Sequence, residues 1–278
     1  MDRRTAFIPL AIAILATTTA VSTASATSYT VTGTFDTGGS CVGTVCPSLR
    51  AAISAANAHA GPDEIALSAG AYRIERGAPT PEDENGTGDL DVTDDLTIKG
   101  QGAGETTILG ALPAEQGERD IQLLGTADLT LSDLTVSGGR GGENEPFNNG
   151  GAIDSEGAGT LTLQRVVVSG NSASGRASWG EGAGIFKSAG HLVVIDSALL
   201  SNQACCAGYG GAIFMTGESS AELSNVTIAG NSASTAGGAI QDEATGPTTL
   251  AFVTLVGNTA ALEGGGSASP KTCESAIR

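Results

Sequence analysis

One motif returns at near-constant spacing. GGAI stands at 150–153, GAGI at 182–185, and GGAI again at 210–213 and 237–240, with GGGS following at 264–267. The isoleucines Ile153, Ile185, Ile213 and Ile240 are 32, 28 and 27 residues apart. A period of that size means one small structural unit per repeat, and no such unit can bury its apolar face alone. A chain built this way gains a core only by stacking its units.

A second motif keeps step with the first. LTLSDLTVSGG (129–139), LTLQRVVVSGN (161–171), LVVIDSALLSN (192–202), AELSNVTIAGN (221–231) and TTLAFVTLVGN (248–258) align without a gap. Their sixth column is Leu134, Val166, Ser197, Val226 and Val253, and their eighth is Val136, Val168, Leu199, Ile228 and Leu255. Apolar residues two apart mark a strand with one buried face. Column eleven is Gly139 and then Asn171, Asn202, Asn231 and Asn258.

Each unit therefore carries three short strands: one after the glycine pair, one at the LTL position and one at the VTI position. Pairing each strand in parallel with its equivalent in the next unit satisfies backbone and side chains together. The expected fold is all-β, a parallel β-helix in which the glycines supply tight corners and the asparagines stack as a hydrogen-bonded ladder. IALSAGAYRI (65–74), LDVTDDLTIKGQG (90–102), TTILG (106–110) and IQLLG (121–125) read as looser rungs upstream. Together they give seven to eight rungs, a body roughly 35 Å long. Ahead of them, PSLRAAISAANAHAG (47–61) is a helix candidate with Leu49, Ala52, Ile53 and Ala56 on one face and Gly61-Pro62 as its stop. A solenoid end exposes apolar surface and strand edges, so this helix is expected to be its cap. The last rung runs into SASPKTCESAIR, which does not look like a cap.

The opening residues read as an export signal. Met1–Arg4 is basic, AFIPLAIAILA (6–16) is apolar but short, and Ala24-Ser25-Ala26 fits a signal-peptidase site. The expected divisions are 1–26 signal peptide, 27–64 strand, disulfide loop and capping helix, 65–267 β-helix and 268–278 tail. Removing residues 1–26 takes away two arginines and one aspartate, so the net charge of −17 becomes −18. Such a surface repels phosphate backbones and anionic lipid, which makes nucleic acid and membrane poor partners. Export permits disulfides. Cys41 and Cys46 are close enough for a small loop-closing bridge, whereas the adjacent Cys205 and Cys206 make a strained pair, and Cys273 leaves the count odd.

CPSLRAAI (46–53), with Cys41 before it and DEIALSAGAYRI, GDLDV and LTIKGQG after it, resembles the CSLREA-type N-terminal region of exported bacterial right-handed β-helix proteins. Pro47 interrupts the cysteine–serine junction, and Ala51 stands where that family commonly has glutamate. The GGAI and [VIL]xxN repeats resemble those of polymorphic outer membrane proteins, with an aliphatic residue in place of phenylalanine. The resemblance spans about residues 29–267 and implies fold and export; fold alone does not fix activity.

The chemistry is thin. Among the residues after each isoleucine, the carboxylates of Asp154-Ser155-Glu156 and Gln241-Asp242-Glu243 are separated by Phe186-Lys187-Ser188 and Phe214-Met215-Thr216, so no cluster is expected there. Column five of the eleven-residue motif is Asp133, Arg165, Asp196, Asn225 and Phe252. Arg165 between Asp133 and Asp196 fits a lyase-like base with carboxylates. It fits better a charge ladder on a turn. Asp89, Asp91, Asp94 and Asp95 offer hard oxygens for calcium, the one cofactor considered, but without EF-hand spacing; a solvated acidic face is the simpler reading. His59 and His191 are the only histidines, and no zinc, P-loop, dinucleotide or GxSxG pattern occurs. The favoured expectation is a secreted, non-catalytic, adhesin-like surface protein with a flat face for polysaccharide or another cell-surface ligand. A polysaccharide lyase or glycoside hydrolase, and a structural protein assembling through its C-terminal end, are the alternatives.

Overall fold

The structure, a computed structural model, describes residues 25–77, 83–110, 119–141, 149–173 and 180–262. The apolar run 6–16, the tail 268–278 and Cys273 lie outside them.

The repeat forms a parallel β-solenoid. One sheet contains seven parallel strands in sequence order: Gly70–Ile74, Thr106–Gly110, Thr135–Ser137, Val167–Ser169, Ala198–Leu200, Thr227–Ala229 and Thr254–Val256. Seven stacked strands at about 4.8 Å span some 30 Å, about six turns, fewer than the seven to eight rungs expected. Register is strict: Val136 lies beside Ile108 and Val168, Val168 beside Leu199, and Leu199 beside Ile228. The VTI column is thus one continuous buried stripe, and Ile108, Val136, Val168, Leu199 and Ile228 are all fully buried.

Two features go beyond the three-strand expectation. Residues after the asparagine column pair as a fourth, two-residue strand, so that Arg140–Gly141, Ser172–Ala173, Gln203–Ala204, Ser232–Ala233 and Thr259–Ala260 form a five-stranded sheet. In two rungs the first and second strands also fuse, as Ile185–Ile195 and Ile213–Ser224. This merges what would be two ladders into one thirteen-stranded sheet. The fused strands pair with a register shift between Lys187 and Ala189, and Gly190 and Gly217 there take φ of +71° and +58°. The direction change that other rungs make in a loop is made here by a bulge and a glycine.

The helix Leu49–Asn57 closes the N-terminal end. Ser48 is its N-cap, accepting from the Ala51 N–H at 3.2 Å, so the helix begins after Pro47. It ends at Asn57, one turn before Gly61, and buries Leu49, Ala52, Ile53 and Ala56 as the periodicity requires. The Cys41–Cys46 disulfide closes the loop before it. At the other end, Leu250 and Leu255 are 48% and 53% exposed, while Leu223 and Ile228, one rung inward in the same columns, are 2% and 0%. Among the described residues nothing covers that last rung.

Candidate functional site

The column proposed as a lyase base is a turn. Asp133, Arg165, Asp196, Asn225 and Phe252 all have φ between +51° and +56°, at the left-handed step between the LTL and VTI strands. Arg165 donates from Nε and Nη2 to the two Asp133 oxygens at 2.6 and 2.7 Å, and Asn225 Nδ2 donates to Asp196 Oδ1 at 2.8 Å. The hydrogen bonds to Asp133 raise the Arg165 pKa further and lower that of Asp133. The column thus holds two separate pairs on a turn, Arg165 with Asp133 and Asn225 with Asp196.

The asparagines are stacked. Asn171 gives its N–H and Nδ2 to Asn202 Oδ1 at 3.1 and 2.9 Å; Asn202 gives both to Asn231 at 2.9 Å, and Asn231 to Asn258 at 3.0 and 2.9 Å. Each Nδ2 also reaches a carbonyl: Val136, Val168, Leu199 and Ile228 in turn. Gly139 replaces asparagine in the first copy for a packing reason. A Cβ there would lie 2.1 Å from the Gly151 carbonyl oxygen and 2.8 Å from Oδ2 of the fully buried Asp120.

The four calcium candidates do not make one site, nor are they a solvated acidic face. Asp94 accepts from the N–H groups of Gly61 and Asp95, and Asp95 Oδ1 from that of Asp128. Asp89 and Asp91, by contrast, are buried. Asp91 and Asn85 exchange hydrogen bonds at 2.7 and 3.2 Å, with Asn85 at φ +55°. Asp89 pairs with Arg119 Nε at 3.0 Å, and Arg119 Nη1 also binds Asp154 Oδ2. Among the described residues no three His, Cys, Asp or Glu side chains converge as ligands for a metal.

That buried arginine between two aspartates is the cluster the sequence analysis did not expect. Asp154 stands in register with Gln122, and Gln122 with Asp91, on the strand positions that alternate with the isoleucine core column. The column continues as Phe186 and Phe214, whose rings stack at 5.7 Å, with Tyr209 tilted over Phe214 at 6.2 Å. Comparing only the residues after each isoleucine missed it, because Asp89 and Arg119 come from the corners of the irregular upstream rungs. Burial raises the Asp154 pKa to about 7, and Arg119, shared with Asp89, offsets that only in part. Asp120 is raised well above its ordinary value, first by burial and then by the Asp89 charge. On the core side of the same strands, Lys187 Nζ donates to Ser155 Oγ and to the carbonyls of Gly157 and Gly159, and burial lowers its pKa to about 8. The cluster has acid–base character, but Asp89, Arg119, Asp120 and Asp154 are all buried. Their visible work is to bind three rung corners together.

The seven-stranded sheet presents the opposite chemistry to solvent. Its outward columns include Thr107, Thr135, Thr227 and Thr254 in one line and Ser137 and Ser169 in the next. Arg73 is the only charged residue on either outward column. A flat, in-register, nearly uncharged face on a chain of net charge −17 is the most distinctive exposed surface described.

A family model described as the Chlamydia polymorphic membrane protein (Chlamydia_PMP) repeat matches residues 225–243, a stretch that holds the strand Thr227–Ala229, Asn231 and the corner Gly237–Ile240. No curated protein matches the chain. Among solved structures, pectin methylesterase PemA from Erwinia chrysanthemi is similar, with a TM-score of 0.44 and 15% identity over 73% of this chain and 55% of that one. The chain thus spans about half the length of that enzyme. Among the described residues no helix is long and apolar enough to cross a membrane.

Proposed function

We propose that this chain is an exported, cell-surface β-helix that binds a neutral polysaccharide along the outward face of its seven-stranded sheet, as an adhesin-like module. The observation that carries the reading is the two-column face of threonine, serine and aliphatic side chains, Leu109, Val167, Leu200 and Val256 among them, interrupted by one charge, Arg73. Hydroxyls on adjacent strands, Thr107 with Thr135, Ser137 with Ser169 and Thr227 with Thr254, suit a polymer rich in hydroxyls, and a neutral face avoids the repulsion an acidic polymer would meet from this protein. The short basic-then-apolar start and Ala24-Ser25-Ala26 support export, and the polymorphic membrane protein-type repeat supports a surface location.

The test is size-exclusion chromatography of the protein with neutral and acidic polysaccharides, with calcium and with chelator, following polymer size and bound protein together. Co-elution with a neutral polymer of unchanged size is expected, and loss of it when Ser137→Glu and Ser169→Glu are combined. Shortening of the polymer would replace this reading with a carbohydrate-active enzyme. No co-elution with any polymer would remove the polysaccharide.

The exposed last rung favours a second, compatible reading: association through the C-terminal end. Leu250, Phe252, Leu255 and Val256 are 48%, 89%, 53% and 56% exposed on one rung. Sedimentation over a wide concentration range should show a reversible larger species that Leu255→Glu removes. A monomer throughout would end this reading.

A further inference from the structure

Adjacent cysteines rarely bond to each other. Neighbouring Cα atoms lie about 3.8 Å apart across a trans peptide, below the usual disulfide span, so the ring closes only on an unusual backbone. The corner after the strand Gln203–Ala204 has such a backbone. Cys206 and Ala207 take φ of +62° and +66°, two consecutive non-glycine residues in the left-handed region. Side chains seldom adopt that region, and a run of two points to a local constraint. The corner is tied at both ends: the Cys205 N–H donates to Ala173 O at 2.9 Å, the Gly208 N–H to Ser234 Oγ at 2.8 Å, and the Tyr209 N–H to Gly180 O at 3.2 Å. So held, the turn brings Cys205 Sγ and Cys206 Sγ to 3.2 Å. A disulfide is about 2.0 Å long, so closure needs a shift of roughly 1 Å. Both residues are half-buried, within reach of an oxidant, and the same chain already carries the Cys41–Cys46 bridge.

We propose that Cys205 and Cys206 are an oxidative modification site that closes to a vicinal disulfide and locks this corner. In the step, one thiolate attacks a sulfur of an external disulfide oxidant, such as a dithiol oxidoreductase in its oxidised form, and gives a mixed disulfide. The neighbouring sulfur then displaces the oxidant's thiolate. Two protons and two electrons leave the cysteine pair, one S–S bond forms within the chain, and the oxidant's S–S bond is reduced to two thiols. The ring fixes the Cys205–Cys206 peptide, three residues before Tyr209, the residue packed over Phe214 at 6.2 Å.

Thiol titration of the unfolded, unreduced full chain tests this directly, together with mass mapping of the peptide spanning 205–206. Of five cysteines, two bridges would use four, so one thiol per chain is expected. The peptide should be lighter by two hydrogens and linked to nothing else. Cys273→Ser should abolish the remaining thiol and leave that peptide mass unchanged. Three titratable thiols, a peptide cross-linked to the one holding Cys273, or a reducible dimer that persists in Cys273→Ser would each overturn the proposal.

Discussion

Arg50 does more than its place in a helix would suggest. Its Nε and Nη2 bind both Asp36 oxygens at 2.9 Å, and the same guanidinium donates to the carbonyls of Gly88 and Asp89 at 2.6 and 2.5 Å. One side chain thus ties the capping helix to the turn that supplies Asp89 and Asp91. Arginine suits this because its planar fork meets a carboxylate with two parallel bonds and still has donors left for carbonyls. Arg50→Ala would leave the buried Asp36 carboxylate with only the Glu75 and Arg76 N–H groups, at 3.2 and 3.3 Å, so a loss of about 3 kcal/mol is expected in denaturant unfolding. Arg50→Lys should recover less than half, since an ammonium cannot reproduce the fork. The sequence did not single this arginine out. Nothing in the sequence showed its partners, which lie 14 and about 38 residues away.

At the scale of the rung, two repeated positions carry different loads. The Asn202 side chain accepts two hydrogen bonds from Asn171 and donates one onward to Asn231 Oδ1 and one back to the Val168 carbonyl, all of them buried. Asn202→Ala leaves the buried Asn171 N–H without its acceptor and Asn171 Nδ2 with only the Val136 carbonyl at 3.4 Å, and a loss of about 2–5 kcal/mol is expected. Asn258→Ala, on the last rung where water reaches, should cost less than half of that; equal costs would show that burial does not set the ladder's strength. The corner glycines separate sterics from backbone freedom. A Cβ on Gly211 would meet the Gly238 carbonyl oxygen at 2.3 Å, whereas Gly257, at φ +62°, has no atom within 4 Å of its hypothetical Cβ. Gly211→Ala should therefore destabilise by about 3 kcal/mol or more, and Gly257→Ala by about 1–2 kcal/mol, the ordinary left-handed penalty. Thermal melts of the two variants would show whether the glycine pairs are there for rung spacing.

Over the whole molecule, the buried carboxyls set the response to pH. Asp154 titrates near 7 in the folded chain and near 4 when unfolded, so between those values the native state holds a proton that the unfolded state has released. Its contribution to stability is complete below about pH 4 and lost as pH rises towards 7. Asp120, raised in the same direction, adds to it. The melting temperature should therefore fall less between about pH 4.5 and 7.5 in Asp154→Asn than in the parent; parallel curves would exclude the group. By itself, the sequence determined the stack, the strand columns, the asparagine ladder, the cap's apolar face and the turn role of the Asp133–Arg165 column. All of these follow from a period and from local alternation, and repetition displays both. Only the tertiary structure decided that Asp89, Arg119 and Asp154 meet, that the Gly151 carbonyl and Asp120 leave no room for a side chain at 139, and that Cys205 and Cys206 face each other. These residues lie in irregular corners where no period fixes the register. Coiling of the chain brings them together, and in a solenoid the contacts between corners depend on loop path as well as on the repeat.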